Sequence, residues 1–195
     1  MNNTAWRVSA ITLAGGQSRR MGRDKALIDY QGRPIIAHVI ETLCALSDDV
    51  IVVSNRSEIY GRFGARVVAD YEPPCGPLGG IAVGLAAAQH DLVAVVACDM
   101  PFLNIELLRR LIDAAEGVDA VVPKTGDEFE PLHAVYRHTC HAPIVRRIEQ
   151  GDRRVISFFE DVRVRAVPEA EWRVLDPEGR SLINLNTPDD LGQLA

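Results

Sequence analysis

The chain has 195 residues, 47% hydrophobic and 25% charged, with a formal net charge of −6. This length and composition suit one globular domain, residues 1–195, and exclude a disordered or low-complexity chain. The acidic balance argues against nonspecific binding to nucleic acid, so any anionic ligand must be held by a local cluster of cations.

Cysteine usage and segment lengths narrow the field further. Cys44, Cys75, Cys98 and Cys140 are widely spaced, without the paired ligands a structural zinc site wants, and read as reduced thiols. His138-x-x-His141 around Cys140 is a weak metal pattern and reads better as the start of a helix. The first eight residues lack a cationic flank followed by an apolar run. No apolar stretch reaches the roughly 20 residues that span a bilayer, so the expectation is a cytoplasmic protein without a membrane partner.

In chain order, residues 8–14 form a short apolar run ending in glycines, which predicts a buried strand opening into a loop over 15–24. Apolar residues at helical spacing predict a helix over 33–46, with Pro34 in its first turn. Strands are expected at 49–54 and 66–69, β-branched and apolar as parallel strands covered on both faces should be. A Pro/Gly-rich loop over 72–80 leads into a helix ending near Gln89. The most apolar strand, 92–97, runs into Cys98-Asp-Met-Pro101. A helix is expected over 104–116 and a strand over 118–122. Less regular elements follow: strand 132–136, helix 141–150, short helix 155–159 and strand 162–167. Near the end Thr187, Pro188 and Asp190 suit the N-cap, first position and N3 of a last helix. Strands alternating with helices at this spacing predict an α/β fold, three-layer α/β/α and Rossmann-like, with a mainly parallel sheet.

The central chemical signal is Leu13-Ala-Gly-Gly-Gln-Ser-Arg-Arg-Met-Gly-Arg-Asp-Lys25. A strand opening into glycines presents backbone N–H groups that an anion can approach. Arg19, Arg20, Arg23 and Lys25 add cations that suit a triphosphate. The spacing fits neither a Walker loop, since Lys25 stands three positions past Gly22, nor a dinucleotide fingerprint. Asp99 lies just beyond the strand 92–97, where the carboxyl ends of strands in an open sheet frame a ligand crevice. A carboxylate there suits a hard cation such as Mg2+, which takes one or two carboxylates plus phosphate oxygens and water. The plainer alternative is that Asp99 caps the helix starting near Asn104. Asp70 could accept hydrogen bonds from a base or ribose, though spacing alone slightly favours an ordinary turn residue, and Asn55 at the end of the second strand is similarly open to both readings.

Together these motifs resemble the molybdenum cofactor guanylyltransferase family (MobA) of the nucleotidyltransferase superfamily. Leu13–Lys25 is similar to its LAGGxSxRMGxDK signature, and Gly76-Pro-Leu-Gly-Gly-Ile81, Cys98-Asp-Met-Pro101 and Asn184-Leu-Asn-Thr-Pro188 follow in the family's order. The resemblance implies transfer of GMP from GTP to molybdenum-bound molybdopterin, with Mg2+ as cofactor. It implies that Leu13, Ala14, Gly15 and Gly16 meet the nucleotide, largely through backbone. By the same resemblance Arg19 and Lys25 hold phosphates, Asp70 lies in the nucleotide pocket, and Asp99 ligates the metal. Asn184 and Asn186 face the second substrate or complete the metal environment, while Pro131 and His133 line the pterin side. Some relatives carry an Asn two residues before the position of Asn55; here Val53 stands there, a departure from the pattern at the strand end where a base contact is expected. Apo-molybdoenzymes or cofactor-insertion proteins would receive the product.

Rival activities share the first motif: a molybdopterin cytidylyltransferase, a sugar-phosphate nucleotidylyltransferase, or a non-catalytic adaptor that binds nucleotide and hands on the cofactor. Lys25 together with Asp99 argues against the adaptor, because pure binding needs no metal at the α-phosphate.

Overall fold

The computed structural model describes residues 7–15 and 24–185. The chain runs as β1 (Val8–Leu13), β2 (Asp29–Tyr30), β3 (Arg33–Pro34), α1 (Ile35–Cys44), β4 (Asp49–Val53), α2 (Ser57–Tyr60) and β5 (Arg66–Val68). It continues as α3 (Pro77–Ala87), β6 (Leu92–Ala97), α4 (Ile105–Asp113), β7 (Ala120–Thr125), β8 (Glu128–Phe129), β9 (His133–Arg137), α5 (His141–Glu149), β10 (Val164–Val167) and α6 (Glu169–Trp172).

The main sheet has the order β10-β7-β9-β6-β1-β4-β5, with β8 paired to β7. All neighbours along this order are parallel except β9, which is antiparallel to both β6 and β7. The central strands β1, β4 and β6 are buried over nearly their whole length because helices cover both faces. One apolar layer joins Ala10 and Val96 to Ile35, Val39 and Leu43 of α1 and Leu107 and Leu111 of α4. The other joins Ile11, Ile51 and Val95 to Ile81 and Leu85 of α3 and Ile144 of α5. Alternate residues of each strand feed opposite layers, as the period of two requires. This is the expected three-layer α/β/α arrangement.

Helix α3 begins at Pro77, inside the segment expected to be a loop over 72–80. Its glycines weigh against helix in the sequence, since glycine costs about 1 kcal/mol relative to alanine in a helix interior. Here they allow close approach to β1: a Cβ on Gly84 would lie 2.4 Å from Ile11 Cδ1. Pro34 is in β3 and precedes the first turn of α1 instead of standing in it. The helix expected over 155–159 is a turn leading into a 3-10 turn at Phe159–Asp161. The hairpin β2–β3, the short β8 and helix α6 were absent from the expectations; at two to four residues none leaves a periodic pattern to read. Residues 187–190 lie outside the described residues. Among the described residues no helix is long and apolar enough to cross a membrane.

Candidate functional site

Strand order sets the site. From β1 the chain passes through α1 to β4 on one side, and from β5 through α3 to β6 on the other. The order therefore reverses between β1 and β6, and a crevice opens there beyond the strand ends. Val68, Val53, Leu13 and Ala97 pair in one continuous row across β5, β4, β1 and β6. Two positions past that row on each strand stand Asp70, Asn55, Gly15 and Asp99. Register alone thus lines up along one edge four residues that lie far apart in the sequence.

Along that edge the contacts are specific. Ala14 donates its amide to Val53 O at 3.0 Å, and Ser54 Oγ donates to Ala14 O at 3.1 Å, so the start of the glycine loop is tied to the end of β4. A Cβ on Gly15 would lie 3.0 Å from Asp70 Oδ2. Glycine lets the carboxylate close against the loop, and the Tyr71 amide holds its other oxygen at 2.7 Å. Leu13 is half-buried and touches α3 at Gly80, where a Cβ would stand 3.1 Å from Leu13 Cδ2. Asn55 is exposed at the rim, and Val53 is buried in the sheet.

Across the crevice Lys25 Nζ stands 3.9 Å from Asp99 Oδ2, with both side chains partly open to solvent. Asp24 caps the 3-10 turn Lys25–Leu27 that carries the ammonium, its Oδ1 accepting from the Ala26 amide at 3.1 Å. Burial pushes the Asp99 carboxyl above its ordinary value, and Lys25 partly opposes this. Burial also raises Asp70, against the Tyr71 amide. Asp99 is not a helix cap. Asn104 caps α4 itself, accepting from the Glu106 and Leu107 amides at 2.9 and 3.2 Å.

Asn184 is exposed, and the next residue ties this segment to residue 99: the Leu185 amide donates to the Asp99 main-chain carbonyl at 2.9 Å while the Leu185 side chain is buried. Pro131 is half-buried, and its carbonyl accepts from Tyr136 Oη at 2.8 Å. His133 is sealed off, in one row with Val96 and Thr12, below the crevice on the α1/α4 face. Gly16, Arg19, Arg20, Arg23 and Asn186 lie outside the described residues. Sequence reading assigned nothing to Arg153, yet its guanidinium reaches Pro74 O at 3.3 Å and brings an exposed cation to the loop before α3. No local spacing links those two segments.

Among the described residues no group of three or more His, Cys, Asp or Glu is arranged to hold a metal. His138 and His141 stack at 5.9 Å, while Cys140 is buried and donates Sγ–H to Asp119 O at 3.2 Å, so that motif is the start of α5. No zinc cage forms there.

The family model for the MobA-like NTP transferase domain matches residues 10–166. A molybdenum cofactor guanylyltransferase from Syntrophotalea carbinolica is 38% identical over 184 residues, spanning 93% of this chain and 88% of the relative. Another with the same name, from Desulfosudis oleivorans, is 36% identical over 186 residues, spanning 94% and 92%. The crystal structure of molybdopterin-guanine dinucleotide biosynthesis protein A from Archaeoglobus fulgidus superposes with a TM-score of 0.83 at 30% identity, covering 95% of each chain. With the motifs of the glycine loop and of β6 meeting at one crevice, these likenesses place the chain in the MobA-like NTP transferase family, a family of nucleotidyltransferase enzymes.

Proposed function

We propose that this chain transfers GMP from GTP to molybdenum-bound molybdopterin, forming the guanine dinucleotide cofactor and releasing pyrophosphate. The observation that carries the reading is the 3.9 Å approach of Lys25 to Asp99 at the switch point of the sheet. One cation and one carboxylate face each other where a glycine loop opens. The names of the relatives supply the acceptor and the base.

A divalent cation fits this site. The donor chemistry is one partly exposed carboxylate at the opening of the glycine loop, and among the described residues no group of three or more His, Cys, Asp or Glu is arranged to hold a metal. That set suits a hard ion sharing its coordination with phosphate oxygens and water, which is our reason for naming Mg2+. Asp99 would hold it, and when bound it supplies charge neutralisation at the triphosphate. The carboxylate, whose pKa burial raises and Lys25 only partly lowers, would then gain a second positive neighbour favouring its ionised form.

The remaining work falls to the chain's own groups. Lys25, with Arg19 from outside the described residues, would neutralise the α-phosphate region as charge builds on it. Leu13, Ala14, Gly15 and Gly16 would meet the nucleotide through backbone. Asp70 and Asn55 would accept or donate hydrogen bonds at base and ribose. Asn184 and Asn186 would face the acceptor, whose terminal phosphate attacks the α-phosphate in line. That phosphate is already largely ionised near neutral pH, its second pKa being about 6, so no protein base is needed. Catalysis is then mostly positioning and electrostatic preorganisation. Transfer of the product to apo-molybdoenzymes or cofactor-insertion proteins completes the reading.

Pyrophosphate release tests it, measured with GTP, CTP, ATP and UTP, with and without molybdopterin, in Mg2+ and in chelator. The expected result is release dependent on GTP, molybdopterin and metal together. Preference for CTP would make the enzyme a cytidylyltransferase. Release with a sugar phosphate in place of molybdopterin would make it a sugar-phosphate nucleotidylyltransferase, and nucleotide binding without release under any acceptor would make it an adaptor.

A further inference from the structure

Asp24 is held from the far side by two residues that the reading above leaves without a role. Its Oδ2 accepts from Tyr60 Oη at 2.5 Å and from Arg56 Nη1 at 2.6 Å, while Oδ1 caps the turn that begins with Lys25. The Asp24 side chain is only 16% exposed. Tyr60, at the end of α2, is fully buried and packs in a cluster with Ala14, Ala26, Ile36 and Val52. Arg56 follows Asn55 at the end of β4.

Three consequences follow. A half-exposed ion pair alone contributes little, so Arg56 does not explain the arrangement by stability. The hydroxyl–carboxylate bond is charge-assisted and sits at the edge of a dry cluster, where such bonds fix geometry well. The carboxylate they fix is the residue next to Lys25, on a one-turn helix too short to set its own direction.

We propose that Tyr60 and Arg56 are positioning residues that act through Asp24 to hold Lys25 over Asp99. They couple the strand end of β4, where the base would lie, to the cation at the phosphates. This rests on the reading of Lys25 as a phosphate ligand. Loss of either anchor leaves the fold and the nucleotide pocket in place and lets the ammonium wander. The effect therefore falls on the transition state, where Lys25 matters, and not on ground-state affinity.

The test is a double-mutant cycle on pyrophosphate release with GTP and molybdopterin. Tyr60→Phe keeps the ring in the core and removes one hydroxyl. It should lower kcat about tenfold while KM for GTP stays within about twofold, the pattern of a lost transition-state interaction. In a Lys25→Met background the same change should alter kcat less than about twofold, because the group it positions is gone. Arg56→Gln, a surface change that leaves the core untouched, should repeat the pattern, and Arg56→Lys should recover part of the rate. If Lys25→Met is slow but the two losses multiply, or if Tyr60→Phe and Arg56→Gln both keep the wild-type kcat, the positioning claim is overturned alone. If Lys25→Met itself turns over at the wild-type rate, the phosphate reading of the site fails and takes this inference with it.

Discussion

Gly15 and Asp70 meet at the open edge of the sheet: the carboxylate Oδ2 lies 3.0 Å from where a Cβ on residue 15 would be. They come from β1 and β5, strands separated by β4, and the absence of a side chain on one is what admits the carboxylate of the other. Had any other residue stood at position 15, the carboxylate would be pushed away from the loop.

Gly15→Ala should therefore damage nucleotide binding more than folding. The new methyl meets a carboxylate already held by the Tyr71 amide, so loop or carboxylate must shift. A crowding cost of about 1–2 kcal/mol corresponds to a rise of roughly five- to thirtyfold in KM for GTP. Steady-state kinetics beside a thermal melt checks this. An unchanged KM would remove Asp70 and Gly15 from the nucleotide pocket.

Gly84→Ala should do the reverse. Alanine favours a helix interior by about 1 kcal/mol, but its Cβ would lie 2.4 Å from Ile11 Cδ1 and 3.0 Å from Ile11 Cγ2, and Ile11 is fully buried. Overpacking of about 1–3 kcal/mol outweighs the propensity gain, for a net loss of about 1 kcal/mol and a Tm lower by about 2–4 °C. Turnover per folded molecule should stay unchanged. A stabilised variant would show that α3 and β1 have room to spare.

His133 makes stability depend on pH. It is fully buried, neither ring nitrogen has a hydrogen-bond partner among the described residues, and burial lowers its pKa to about 4 against a weak opposing pull from Asp176. The unfolded chain takes up a proton near the ordinary histidine value of about 6.5, while the folded protein resists it. Stability from this residue is thus complete above about pH 6.5 and declines as pH falls towards about 4, by at most about 3 kcal/mol. Denaturant unfolding across that range should show the decline in the wild type, and His133→Leu should flatten it. An equal slope in the variant would assign the dependence to other groups.

Much of this layout was legible because the elements that frame the crevice are long or strongly apolar. Strands 8–14, 49–54 and 92–97 announce themselves by short, mostly apolar runs bounded by turn residues, and each ends within a residue or so of its expected limit. That was enough to place Asp99 and the glycine loop on one edge. The start of α3 was misread because glycine serves both turns and close helix–strand packing, and only the position of Ile11 distinguishes them. Tyr60, Arg56 and Arg153 left no trace for a related reason. Each touches its partner between elements distant in sequence, and no periodicity joins a strand-end arginine to an aspartate 32 residues earlier.

The central claim is that Lys25 and Asp99 grip one metal-bound triphosphate, and Asp99→Asn tests it most directly. The variant keeps size and hydrogen-bonding capacity but loses the charge that a divalent cation needs. Pyrophosphate release from GTP in the presence of molybdopterin, titrated with Mg2+, should fall by more than about a hundredfold, roughly 2.7 kcal/mol of barrier, with the wild-type metal dependence lost. A rate within about tenfold of wild type, at an unchanged Mg2+ midpoint, would contradict the account.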